Sequence, residues 1–121
     1  DFSGSRVKGI SCSFSKITDK AVSVGESSDV NLSHFDIFDC GFGVVSKDLS
    51  NVVLFQSKME KIAQAGVSAY QKKKMYGPAK ISCESVSFSE TLTPTLIQSH
   101  SIGKIDGKKV NQTEFKAEEY Y

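Results

Sequence analysis

Val30-Asn31-Leu32, Ile37, Cys40 and Gly43-Val44-Val45-Ser46 recur 22 residues later as Val52-Val53-Leu54, Met59, Ile62 and Gly66-Val67-Ser68-Ala69, the last group one position further on. Working back 23 residues from Val30 uncovers the same order in Val7-Lys8-Gly9, Phe14, Ile17 and Ala21-Val22-Ser23-Val24. Working forward 27 residues from Val52 uncovers Ala79-Lys80-Ile81, Val86 and Pro94-Thr95-Leu96-Ile97. A partial fifth unit opens at Ile102-Gly103-Lys104-Ile105. Fixed-period self-similarity of this kind marks a repeat architecture, in which each unit buries its apolar face only by stacking on its neighbours.

Each unit holds one strand of alternating pattern, a second short strand, and a third strand headed by a small residue. A turn follows at Gly25-Glu26-Ser27-Ser28, Lys47-Asp48-Leu49-Ser50 and Gln98-Ser99-His100-Ser101. Three short strands and three bends in 22–23 residues suit one coil of a parallel β-helix. Alternation sends every second side chain inward. The expected inner columns are Val7, Val30, Val52 and Ala79; Phe14, Ile37, Met59 and Val86; and Val22, Val44, Val67 and Thr95. Gly43 and Gly66 share the place of Ala21, where a tight backbone bend is expected to exclude a large side chain. A leucine-rich repeat has a similar period, but its L-x-x-L-x-L-x-x-N pattern is missing. A β-sandwich has short strands without columns that match over successive steps.

The fold expected is therefore all-β: a right-handed parallel β-helix of about four coils, near residues 7–29, 30–51, 52–78 and 79–101, with a partial coil at 102–107. The coils together occupy residues 1–107, and 108–121 form a C-terminal cap or flexible tail. One insertion, Tyr70 to Pro78, replaces a short turn in the third coil, and such insertions map to one face of a solenoid, often the binding face.

Composition narrows the classes of partner. A formal net charge of +1 gives no field to draw in nucleic acid, and Lys72-Lys73-Lys74 is a short run without interleaved aromatics. No apolar run approaches the roughly 18–20 residues of a membrane span. Cys12, Cys40 and Cys83 are odd in number and lack CxxC spacing, so free thiols are expected rather than a disulfide framework or zinc site. His34, expected in register with Ser11, Gln56 and Cys83, lies far from His100 along the repeat, which argues against a shared metal. Asn31-Leu32-Ser33 and Asn111-Gln112-Thr113 fit the glycosylation acceptor pattern. The chain starts at Asp1 without a methionine, and only a short stretch, Asp1-Phe2-Ser3-Gly4-Ser5, lies ahead of the first coil, so upstream coils or a second chain are expected against that end.

The residues from Ala21 to Val110 resemble bacterial right-handed parallel β-helix repeat proteins of the pectate-lyase-like solenoid superfamily. The segments concerned are Ala21-Val22-Ser23-Val24-Gly25-Glu26, Gly43-Val44-Val45-Ser46-Lys47-Asp48, Ala69-Tyr70-Gln71-Lys72-Lys73, Tyr76-Gly77-Pro78 and Ile105-Asp106-Gly107-Lys108-Lys109. The resemblance implies a solenoid in a secreted or cell-surface setting. The superfamily includes polysaccharide lyases and depolymerases as well as spacers and adhesive proteins.

The turn after the third strand carries the candidate chemistry. Glu26, Asp48 and Gln71 fall at one place on successive coils, with Lys47 and Tyr70 one position earlier and Lys72 and Lys73 alongside. Paired carboxylates could hold calcium, a lysine could abstract an α-proton, and a tyrosine could stack on a sugar. The functional expectation is a non-catalytic module that binds polysaccharide or serves as a rigid assembly unit. The alternative is a fragment of a lyase or hydrolase acting on an acidic glycan.

Overall fold

The computed structural model describes residues 1–120 and is a parallel β-solenoid of about four turns, as the repeat requires. Its strands are β1 (Phe2–Ser3), β2 (Arg6–Gly25), β3 (Asp29–Lys47), β4 (Asn51–Phe55), β5 (Lys58–Tyr70), β6 (Lys80–Glu84), β7 (Ser87–Ser89), β8 (Thr95–Gln98), β9 (Ile102–Ile105), β10 (Lys108–Lys109) and β11 (Gln112–Thr113). A short 3-10 helix, Ala117–Tyr120, follows. The long strands β2, β3 and β5 run around corners, so each coil has three sides. The first side is built from residues 6–10 and 29–33 with β4, β6 and β9, and the second from 12–15, 35–38, 58–60 and β7. The third side is built from 20–25, 42–47 and 65–70 with β8, flanked by β1 and β11. Among the described residues no helix is long and apolar enough to cross a membrane.

Corners are turned by residues with positive φ. His34, Gln56 and Ser85 sit at 59°, 46° and 56° between the first and second sides. Lys16, Asp39, Lys61 and Glu90 sit at 56°, 56°, 55° and 47° after the second. Before the first side the left-handed pairs are Glu26 with Ser27 and Asp48 with Leu49. A bend interrupts the backbone ladder, and amides left there must find other partners. Buried serines supply them: Ser28 Oγ accepts from the N–H of Ser5 at 3.0 Å, Ser50 Oγ from Ser28 at 3.2 Å, and Ser101 Oγ from Ala79 at 3.1 Å. At the next corner Ser57 Oγ accepts from the N–H of Phe35 at 3.1 Å.

The inner columns follow the expected register through three coils. Val7, Val30 and Val52 align, as do Phe14, Ile37 and Met59, and the third column runs Val22, Val44, Val67, Thr95. The fourth coil differs by two residues in the first two columns: Ile81, not Ala79, stacks on Val52, and Phe88, not Val86, stacks on Met59. Ala79 instead takes the corner place of Ser28 and Ser50. Val30 and Val52 are fully buried, whereas Val7, in the first coil, is half-buried.

The glycine position also has a different cause from the one expected. The corners are made by the left-handed residues above, while Gly43 and Gly66 lie where coils press together. A Cβ on Gly66 would fall 2.7 Å from the Pro94 carbonyl oxygen and from the Phe88 ring, and one on Gly43 would fall 2.6 Å from Met59 Sδ. All three cysteines are free. Cys40 stacks between Ile17 and Ile62 as expected, whereas Cys83 stacks on Leu54 inside the first side rather than sharing the corner of His34. Burial above all, then the charge of Asp106, pushes the Cys83 thiol up to about 12.

The two ends of the stack differ. At the C-terminal end, Asp106 and Gly107, with φ of 49° and 81°, turn β10 back antiparallel onto β9. Two successive positive φ values are what a type I′ hairpin turn needs, and Asp-Gly favours them. The tail then runs over the outer face of the third side, where Phe115 and Ala117 pack with Phe42, Val45, Ala65, Tyr70 and Leu96. At the N-terminal end, β1 covers only Val24 and Gly25 of β2. Gly66→Ala is expected to destabilise the fold by about 1–3 kcal/mol, since the clash is with backbone and a packed ring. Urea unfolding would show it, and a change below about 0.5 kcal/mol would mean that the coils do not approach so closely.

Candidate functional site

The stacked turn predicted to carry the chemistry does form. Pairing of Val24 with Ser46 and of Ser46 with Ala69 carries Glu26, Asp48 and Gln71 to successive levels of one corner, and Lys47 lies against Tyr70. Glu26, Lys47, Asp48, Lys72 and Lys73 border a depression of about 270 Å³ together with Asp1, Phe2 and Ser3. A neighbouring hollow of about 230 Å³ is lined by Asp19, Lys20, Ser23, Lys47, Tyr70 and Lys72. These residues therefore gather at one corner, as their spacing implies, but several members already have structural work.

Asp48 is 2% exposed, and its Oδ1 accepts the backbone N–H groups of Lys72 at 2.7 Å and Lys73 at 2.8 Å. It holds the inserted loop against the coil above. Gln71 works from the other side. Its N–H donates to Gln98 Oε1 at 2.8 Å, and its Nε2 donates to the carbonyls of Tyr76 at 2.5 Å and Lys73 at 3.3 Å. Leu49 N–H completes the anchorage by donating to Gly77 O at 3.1 Å. The inserted segment is thus pinned at its start, middle and end.

Tyr70 is not presented for stacking on a sugar. Its ring is 1% exposed and meets Phe115 edge-on, with centroids 6.0 Å apart and planes at 74°. The carbonyl of Phe115 accepts from Gln98 Nε2 at 3.0 Å, and Gln112 Nε2 donates to Ser101 O at 2.6 Å, so the tail is tied over this ring. Sequence reading missed the cover because nothing in Glu114-Phe115-Lys116-Ala117 shows which outer face the tail will cross.

The electrostatics divide into an exposed pair and a half-buried cation. Lys73 Nζ pairs with Glu26, which also accepts from Ser3 Oγ at 2.9 Å. The hydrogen bond from Lys73 holds the Glu26 carboxyl below its usual range, and the same bond raises the pKa of Lys73. The pair's contribution is present at neutral pH and is lost as pH falls through the lowered pKa of Glu26. Lys47 is shifted the opposite way to Lys73. Burial first, then repulsion from Lys72 and Lys20, lowers its pKa, while Asp48 and Asp19 oppose the shift. Among the described residues no three His, Cys, Asp or Glu side chains converge as metal ligands. Asp48 has one carboxylate oxygen committed to two amides and Glu26 is engaged by Lys73, so the two carboxylates are arranged as a loop anchor and a surface ion pair. His34 and His100 are both exposed, at separate corners.

Compared with known proteins, the chain matches no family model, no curated protein and no solved structure. The solenoid fold stands on its own strand register. Replacing Asp48 with Ala is expected to cost about 1–3 kcal/mol, because two amides lose a charged acceptor. It should also speed hydrogen exchange at Lys72 and Lys73 while leaving the amides of β3 and β4 protected. Unchanged exchange at Lys72 and Lys73 would show that the loop is held some other way.

Proposed function

We propose that the chain is a non-catalytic β-solenoid module, working outside the cell, that binds an extended polysaccharide. The observation that carries this reading is the state of the polar corner. Asp48 and Gln71 are consumed in holding the loop, Tyr70 is covered, and Glu26 is paired, so the groups do not converge on a reacting atom as catalysis requires. What the fold offers instead is rigid, flat sheet. Successive coils lie roughly 4.8 Å apart, close to the length of one pyranose unit, so a glycan chain can meet equivalent side chains coil after coil. The resemblance to pectate-lyase-like bacterial solenoid proteins points to the same ligand class. One observation favours the alternative of an acidic-glycan lyase: the lowered pKa of Lys47 suits a general base. Incubation with pectate, alginate and glycosaminoglycans separates the two. Retention of the chain on a polysaccharide with neither unsaturated products nor new reducing ends is expected, and product release dependent on Lys47 would replace this reading with the lyase.

The asymmetry of the two ends supports an assembly role alongside binding. The first-side and second-side portions of β2 carry no strand on their N-terminal flank among the described residues, and Val7, Cys12, Phe14 and Ile17 are only half-buried there. An edge of this kind pairs with further strand, here another coil or a second copy of the chain. Sedimentation of the isolated chain is expected to show concentration-dependent association. A monomer at every concentration would remove the assembly role and leave the binding role untouched.

A further inference from the structure

The three outer faces of the solenoid are chemically different, and only one is suited to a charged polymer. The third side is covered by the tail where Phe115 and Ala117 pack over Tyr70 and Phe42, and where it stays open Asp1 and Asp19 stand beside Lys20, Lys47 and Lys72. The second side neutralises itself. Its corner column runs Lys16, Asp39, Lys61, Glu90, alternating in sign from coil to coil, and Lys61 lies over the Phe38 ring at 5.6 Å. The first side does neither. One outward column reads Arg6, Asp29, Asn51, Lys80, Ile102, and the next reads Lys8, Asn31, Val53, Ser82, Lys104, Lys109.

Arg6, Lys8, Lys80, Lys104 and Lys109 are all exposed, and among the described residues no ion pair joins any of them to an acid. The strands of this face contribute only Asp29 and Glu84 against them. The cations fall in two groups. Arg6 and Lys8 mark the first coil, while Lys80, Lys104 and Lys109 mark the far end. Arg6 and Lys80 are three coil steps apart, roughly 14 Å at the spacing of neighbouring strands. Between them lie the exposed carboxylate of Asp29, the exposed amides Asn31 and Asn51, and the half-buried Val53 and Phe55. A hollow of about 450 Å³ lined by Arg6, Val7, Lys8, Asp29, Asn31 and Asn51 opens at the first-coil end.

We infer that this first-side face binds an acidic polysaccharide laid along the solenoid axis, its carboxylates or sulfates held at the two cationic ends and its hydroxyls by Asn31 and Asn51. The inference rests on the polysaccharide-binding reading and names its face and its charge class. Sparse charge decides between polyanions. Duplex DNA carries about one negative charge per 1.7 Å of axis, and the middle of this face, with no cation and with Asp29 exposed, would leave most of those charges without a partner. A glycan with one acidic group per sugar, or fewer, suits cations grouped at the ends. Val53 and Phe55 offer an apolar strip to the C–H face of a sugar ring, and a lone half-buried aromatic is no stacking ladder for successive bases.

The test is calorimetric titration of the 121-residue chain with polygalacturonate oligosaccharides of increasing length at low salt, with a neutral glucan oligomer as control. Two double variants, Arg6→Glu with Lys8→Glu and Lys104→Glu with Lys109→Glu, probe the ends, and Lys58→Glu with Lys61→Glu probes the second side. All are exposed positions, and far-UV circular dichroism checks that the fold is kept. Each first-side pair is expected to weaken binding at least tenfold and the second-side pair less than twofold. Affinity should fall with added salt and rise sharply once the oligomer spans both ends. Binding of the neutral glucan alone, or polygalacturonate binding that ignores the first-side variants, overturns this inference while leaving a polysaccharide-binding module in place. Tighter binding of duplex DNA or anionic vesicles through the same residues overturns it as to polymer class. Failure to bind any polysaccharide removes the underlying reading as well.

Discussion

The structure depends on one constraint: each coil must return to the same place directly beneath the previous one. Parallel pairing then supplies a backbone ladder on each side, and inward apolar residues stack in columns from coil to coil. Val22, Val44 and Val67 show the result, all three buried and mutually stacked. The return is possible only because the corners are tight. Left-handed residues at His34 and Gln56, and at Lys16, Asp39 and Lys61, turn the chain in a residue or two. Where the turn breaks the ladder, Ser28, Ser50, Ser57 and Ser101 accept the amides that would otherwise be buried without partners.

Much of this was written in the sequence because the constraint is repetitive. A period of 22–23 residues, with matched residue types at each step, determined the columns for three coils. The fourth was displaced by exactly the amount that in/out alternation cannot detect. Side chains in a strand repeat every two residues, so a slip of two keeps apolar groups inward. The insertion changed the count between Val52 and its partner, and Ala79 was as plausible as Ile81. The same slip sent Cys83 to a corner instead of the core. The corner serines Ser28, Ser50 and Ser101, in contrast, are visible as the last residue of each recurring turn.

The candidate cluster was legible as a location and illegible as chemistry. Spacing alone stacked Glu26, Asp48 and Gln71, because the corner repeats with the coil. Spacing could not reveal that Asp48 points its carboxylate at the amides of Lys72 and Lys73, or that Gln71 reaches across to Tyr76. Those contacts depend on the path of a non-repeating loop. Tyr70 lost its expected role for a similar reason, since the tail that covers it lies outside the repeat. What these irregular segments leave open is the first side, where the repeat itself arranges cations and amides on a flat surface.

In-register stacking of the coils underlies every face of the molecule, and proton NMR of the folded chain tests it most directly. Cross-strand contacts between backbone amide and α-protons should link Val30 to Val52 and Val52 to Ile81 in the staggered pattern of parallel strands, and link Val44 to Val67 and Val67 to Thr95 on the third side. Close α-proton to α-proton contacts between these segments, the mark of antiparallel pairing, would contradict the solenoid and everything built on its faces.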